Sequence, residues 1–95
     1  MRGILPDDDV EVLADVGAAY EAAGRSAEAE TAYRRGLARD PEYADLHARL
    51  ARLLAARGAA AEARTHVESA LTLQPNRRDL LDLQAAIARL PVEAP

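Results

Sequence analysis

An all-α solenoid, two helical hairpins followed by a C-terminal helix, is the fold class this sequence predicts, and three observations carry it. A 34-residue echo runs through the chain: Gly24, Ala29, Leu37 and Pro41 recur as Gly58, Ala63, Leu71 and Pro75, with Glu28 and Thr31 recurring as Glu62 and Thr65. A period of this length belongs to stacked supersecondary units that bury their faces against one another. Inside each unit apolar residues return at steps of three and four, the period of a helix, and no stretch alternates with period two. The 95 residues, 49% of them hydrophobic, make one domain over 1–95, divided at about 10–43, 44–77 and 78–90.

The elements follow from caps and breakers. Asp8 with Glu11 three residues on reads as a capping box, and Val12, Leu13, Val16, Ala19 and Tyr20 then stripe a first helix from about Asp8 to Ala23. Gly24 offers the positive φ that ends it, and Ser26 is placed to cap a second helix striped by Ala29, Ala32, Tyr33, Gly36 and Leu37. Asp40-Pro41 stops that helix, because proline lacks the N–H and biases its predecessor away from helical angles. The cycle repeats. Leu46, Leu50, Leu53 and Leu54 stripe a third helix up to Gly58, and Ala63, Val67, Ala70, Leu71 and Leu73 a fourth up to Gln74-Pro75. Asn76 with Asp79 opens a fifth, carrying Leu80, Leu81, Leu83, Ile87 and Leu90 as far as Pro91.

Composition narrows the function classes. The net charge is −4, all twelve basic residues are arginine, and the two signs are interleaved, so there is no basic stripe to follow a phosphate backbone; nucleic acid is not an expected partner. Cysteine is absent, which removes disulfides, thiolate metal sites and thiol nucleophiles. The short apolar run after Met1 does not make a signal peptide and no later run could span a bilayer, so a cytoplasmic chain without membrane contact is the expectation.

The spacing of Leu13, Val16, Gly17, Tyr20, Gly24, Ala29, Tyr33 and Pro41, answered in the second unit by His47, Leu50, Ala51, Leu54, Gly58, Ala63, Val67 and Pro75, resembles the signature of the tetratricopeptide repeat. Small and large residues alternate there, with Gly17 and Ala51 allowing close approach of neighbouring helices. The frequent tryptophan of that family is replaced by Leu13 and His47. Its late alanine is Gly36 in the first unit, weakening that helix by ~1 kcal/mol relative to alanine. The resemblance covers two repeats and a half-repeat or capping helix. It implies five antiparallel helices in a right-handed superhelical stack, and a non-catalytic module that binds a peptide or partner helix in its concave groove.

By that analogy the groove positions are Glu11, Asp15, Ala18 and Glu21 on the first helix, Asp45, Ala48, Arg49, Arg52 and Ala56 on the third, and Asp79, Asp82 and Ala86 on the fifth. Acids rim this surface, with Arg49 and Arg52 at its middle as electrostatic anchors, and a mixed or basic ligand is expected. One branch of the family grips a terminal carboxylate with lysines and asparagines. The matching positions here include Ala14, Ala18, Arg49, Asp79 and Leu83, so that clamp is absent.

The fifth helix raises a second expectation, an assembly adaptor that forms a homodimer. Leu80, Leu83, Ile87 and Leu90 form one stripe, and Leu81, Ala85 and Ala88 form another that can pack back onto the fourth helix, leaving the first stripe over. A two-fold interface of eight such side chains gains about 12–24 kcal/mol gross against association costs of ~4–15 kcal/mol. The alternative is a rotation that shares these leucines between the fourth helix and the groove. An interrupted longer array would expose the same stripe.

Catalytic readings find little support. His47 occupies a packing slot, and His66 shares a helix face with Glu62, an i,i+4 pair without a third ligand, so no metal is expected. Asp7, Asp8 and Asp9 lack the alternate spacing, glycine and distant glutamate of a calcium loop, and serve to cap the first helix. No phosphate loop, nucleophile motif or cofactor fingerprint occurs, and no cofactor is expected.

Overall fold

The computed structural model describes residues 9–91 and contains five helices: α1 (Val10–Ala22), α2 (Ser26–Arg39), α3 (Ala44–Ala56), α4 (Ala60–Leu73) and α5 (Arg78–Ala88). No strand occurs among the described residues. α1 packs on α2 and α3 on α4 as two hairpins, α2 joins α3 across the repeat boundary, and α5 rests on α4 and touches α3. The stack is elongated, 50 × 28 × 25 Å.

The 34-residue echo is reproduced bond by bond. At the end of α1, Gly24 has φ +77°, its N–H donates to Glu21 O (3.0 Å), and Arg25 N–H reaches Tyr20 O (2.8 Å). At the end of α3, Gly58 has φ +83°, its N–H donates to Ala55 O (3.1 Å), and Ala59 N–H reaches Leu54 O (2.8 Å). This is the glycine-terminated cap that satisfies two orphan carbonyls, and it needs a residue without a Cβ penalty at positive φ. The repeat boundaries match as well: Asp40 N–H donates to Gly36 O and Gln74 N–H to Ala70 O, each residue out of the helical region before a proline.

The caps differ from the sequence expectation by one residue each. Asp9, not Asp8, caps α1, its Oδ1 accepting from Glu11 N–H at 2.8 Å; Asp8 lies outside the described residues. Ser26 is the first residue of α2 rather than its cap, and Arg25 holds the N-cap position while donating to Glu28 (2.8 Å). At α5 the N-cap position is Arg77, not Asn76.

Side chains from α2, α3, α4 and α5 share one core, in which Tyr33, Leu46, Ala48, Leu50, Ala51, Leu54, Ala63, Val67, Ala70 and Leu80 are fully buried. Two glycines set its spacing. A Cβ on Gly17 would lie 2.2 Å from Tyr33 Cε1, so the tyrosine ring lies directly on the α1 backbone; a Cβ on Gly36 would lie 2.6 Å from Leu46 Cδ1, so α3 seats a leucine on α2. In the second unit the same slots hold Ala51 with Val67 and Ala70 with Leu80, all buried. The bulky ring pairs with glycine and the smaller valine with alanine, which keeps both hairpins at close-packed density.

α5 faces the other way from the reading that left its leucines outward. Leu80 and Ile87 are 0% and 1% exposed, and Leu83 and Leu90 are half-buried against the core. Leu81 (42% exposed), Ala85 and Ala88, the stripe expected to pack on α4, face outward. The register explains the inversion. Leu80 stands 34 residues after Leu46, the leucine seated on Gly36, and like it is fully buried, which turns the rest of the helix with it. The four named leucine-stripe residues are therefore not a free docking surface.

Candidate functional site

α1, α3 and α5, the first helices of successive units, carry the residues assigned to the groove. Glu11, Asp15, Arg52, Ala56, Asp79, Asp82 and Ala86 are exposed, and Ala18, Glu21, Asp45 and Arg49 are half-buried. Ala48 is fully buried and does not line a surface. The reason is the position of α3: with α2, α4 and α5 all packed on it, its buried arc is wider than that of the terminal helix α1.

Across these helices the structure assembles a line of alternating charge. Arg49 Nε donates to Asp45 Oδ2 at 2.8 Å, one turn back on α3. Arg77, from the turn before α5, lies 3.7 Å from the same Asp45 and makes a two-pronged contact with Asp79, at 2.6 and 3.1 Å. Asp45 pushes the Arg49 guanidinium further above its already high pKa, and Arg77 holds the Asp79 carboxyl below its usual range. Arg49 is thus largely neutralised at the place where the sequence suggested a free cationic anchor. Arg77 was not foreseen as a groove residue; its i,i+2 spacing to Asp79 was the available signal.

Beneath this line sits Tyr33, read from sequence only as core. Its ring is fully buried on Gly17, and its hydroxyl is also buried and makes no hydrogen bond among the described residues. Burial pushes the phenol pKa up, while Arg49 on α3 opposes that and Glu21 on α1 adds to it. The hydroxyl therefore lies within electrostatic reach of both walls.

A second polar network lies along α2 and α4. Arg57 donates to Glu30 (2.6 Å), Glu30 also meets Arg34 (3.4 Å), and Arg34 donates to Glu62 on the next hairpin (2.6 Å). Glu62 stands 3.9 Å from His66 Nε2, and His66 Nδ1 lies 3.0 Å from His47 Nδ1. His47 Nε2 is 2.7 Å from Pro41 O, and a carbonyl only accepts, so Nε2 carries a proton; with the ring neutral, His47 Nδ1 accepts and His66 Nδ1 is its donor. Nineteen residues separate the two imidazoles, and only the antiparallel α3–α4 hairpin brings them together. Burial, then the neighbouring His47, lowers the His66 pKa. Among the described residues no three His, Cys, Asp or Glu side chains are grouped as a metal would need, and no helix is long and apolar enough to cross a membrane.

The repeated glycine caps, the small-on-large hairpin contacts and the half-repeat geometry of α5 are independent of any comparison, and the comparisons agree with them. No curated protein matches the chain. The family model for the tetratricopeptide repeat matches residues 7–87, spanning both hairpins and nearly all of α5, and the chain belongs to the tetratricopeptide repeat family.

Proposed function

We propose that this chain is a non-catalytic interaction module whose α1–α3–α5 face holds a peptide or helix of a partner protein, and that the bound segment carries net positive charge. Proteins built from this repeat are generally protein–protein interaction modules, which supports the class. The charge preference rests on how the ion pairs are distributed. Arg49 and Arg77 are engaged by Asp45 and Asp79, whereas Glu11, Asp15 and Asp82 are exposed and make no ion pair among the described residues. Arg52 is exposed and makes no ion pair among the described residues either, but among the positions assigned to the groove these three carboxylates outnumber it. A cationic ligand gains from such a surface and an anionic one is repelled, an effect that steers association and weakens with salt.

The test is charge reversal on two helices. Asp15→Arg together with Asp82→Arg is expected to cut the affinity for peptides selected on the wild-type protein at least tenfold, with helicity unchanged by circular dichroism. Equal affinity of the reversed and wild-type proteins overturns the groove assignment.

A further inference from the structure

We infer that a hollow on the far side of α3 from the groove receives the guanidinium of an arginine from a partner protein, held by the Glu42 carboxylate and the Ser69 and Thr72 hydroxyls. The hollow measures about 290 Å³ and is lined by Pro41 and Glu42 from the α2–α3 turn, His47 on α3, and Ser69, Thr72 and Leu73 near the end of α4. That is less than a drug-sized molecule needs and suits one long side chain. His47 stands two residues from both Asp45 and Arg49, about 200° around the helix, so this site lies apart from the charged line of the groove.

Hydrogen-bond accounting sets the chemistry of the guest. Ser69 donates its hydroxyl proton to Thr65 O (3.1 Å) and Thr72 to Glu68 O (2.9 Å). His47 spends its Nε2 proton on Pro41 O (2.7 Å) and its Nδ1 on His66 (3.0 Å). The lining therefore has no side-chain donor left, while both hydroxyl oxygens keep lone pairs. The exposed Glu42 carboxylate makes no ion pair among the described residues, and neither does Glu68, one turn before Thr72. A site of acceptors alone repels a carboxylate or phosphate and leaves the carbonyl of an amide unanswered. It matches a cation that only donates.

The repeat itself supplies the choice of arginine. In the first unit Glu42 corresponds to Asp8, Ser69 to Arg35 and Leu73 to Arg39, each 34 residues earlier. That unit carries both acid and arginine at the matching positions of its own sequence. The second unit keeps the acid and has no arginine there, so the cation has to come from outside. The acceptors also favour a guanidinium over an ammonium. They stand on separate elements, a carboxylate from the turn and two hydroxyls at i and i+3 on one face of α4, and a planar guanidinium directs donors to several sides at once. Pro41 and Leu73, the latter 38% exposed, offer aliphatic carbon to its weakly hydrated faces.

The experiment uses the full chain, isotope-labelled, and follows its backbone amide resonances as N-acetyl-arginine N-methylamide is titrated to millimolar concentration. Saturable shifts are expected at Glu42, His47, Ser69, Thr72 and Leu73, and none with the citrulline analogue, which keeps the shape and lacks the charge. Glu42→Gln is expected to weaken binding about tenfold, the scale of one charge-assisted hydrogen bond. Ser69→Arg/Leu73→Arg copies the first unit and should fill the hollow from within, abolishing the shifts with helicity unchanged by circular dichroism. An equal response to the lysine analogue overturns the guanidinium assignment, and an equal response to citrulline overturns the requirement for charge. Absence of saturable shifts at these residues, or wild-type affinity in Glu42→Gln, overturns the site altogether. Shifts confined to the α1–α3–α5 face overturn this site and leave the groove reading intact.

Discussion

At position 17 a methyl group would sit 2.2 Å from Tyr33 Cε1, and neither the backbone of α1 nor the buried ring has room to yield. Gly17→Ala is therefore expected to destabilise the domain by about 1–3 kcal/mol, measured by urea unfolding. The second hairpin shows what would restore the fit, because alanine stands there opposite valine. In a Gly17→Ala/Tyr33→Val double variant the pair copies Ala51 and Val67, and the combined loss should be smaller than the sum of the two single losses. Strict additivity would mean that the two residues do not share one packing slot. The size exchange between positions 17 and 33 can be read from the 34-residue echo. The burial of the Tyr33 hydroxyl cannot, since it depends on α1 and α3 side chains that the fold brings around it.

Among the elements, α5 divides most clearly what was legible from what was not. Its existence, its start near Pro75 and its stop before Pro91 follow from periodicity and breakers alone. Its rotation does not, because both Leu80-Leu83-Ile87-Leu90 and Leu81-Ala85-Ala88 are apolar enough to be buried. Packing resolves the choice by burying Leu80 and Ile87 and leaving Leu81 exposed. Leu80→Ala or Ile87→Ala should cost about 2–5 kcal/mol, as buried aliphatic truncations do, whereas Leu81→Ala should stay within ~0.5 kcal/mol. Thermal unfolding of the three variants checks this, and an equal loss at Leu81 would show that the outward stripe has a partner in solution. Helices α2 and α3 left less ambiguity: their predicted stripes are fully buried except for half-buried Leu37 and Leu53, because a helix between two neighbours has little freedom in which face it hides. Terminal α1 hides only Leu13 and Gly17 fully, so its broad predicted stripe overstated its core.

At the scale of the whole molecule, the network from Arg57 through Glu30, Arg34, Glu62 and His66 to His47 couples the two hairpins to pH. The folded state holds His66 less basic than its ordinary 6.5, so the unfolded chain binds more protons there, and stability is lost as pH falls below that value. Glu62 and Glu30 are held below their ordinary 4.5 by Arg34 and Arg57, so their contribution persists further down and fades only as pH falls below that lower value. Unfolding midpoints are expected to be flat at neutral pH and to decline in two stages on acidification. His66→Gln should remove the first stage and leave the second; an unchanged first stage would assign it to another group. The sequence by itself determined the helical repeat, the positions of its turns and the class of surface it offers, because periodicity, proline and glycine act over a few residues of chain. Only the tertiary structure decided which face of α5 is buried, that Arg49 is neutralised by Asp45, and that Tyr33 and the two histidines meet groups on other helices. Those outcomes depend on side-chain volume and charge brought together from distant segments, and local pattern does not encode that sum.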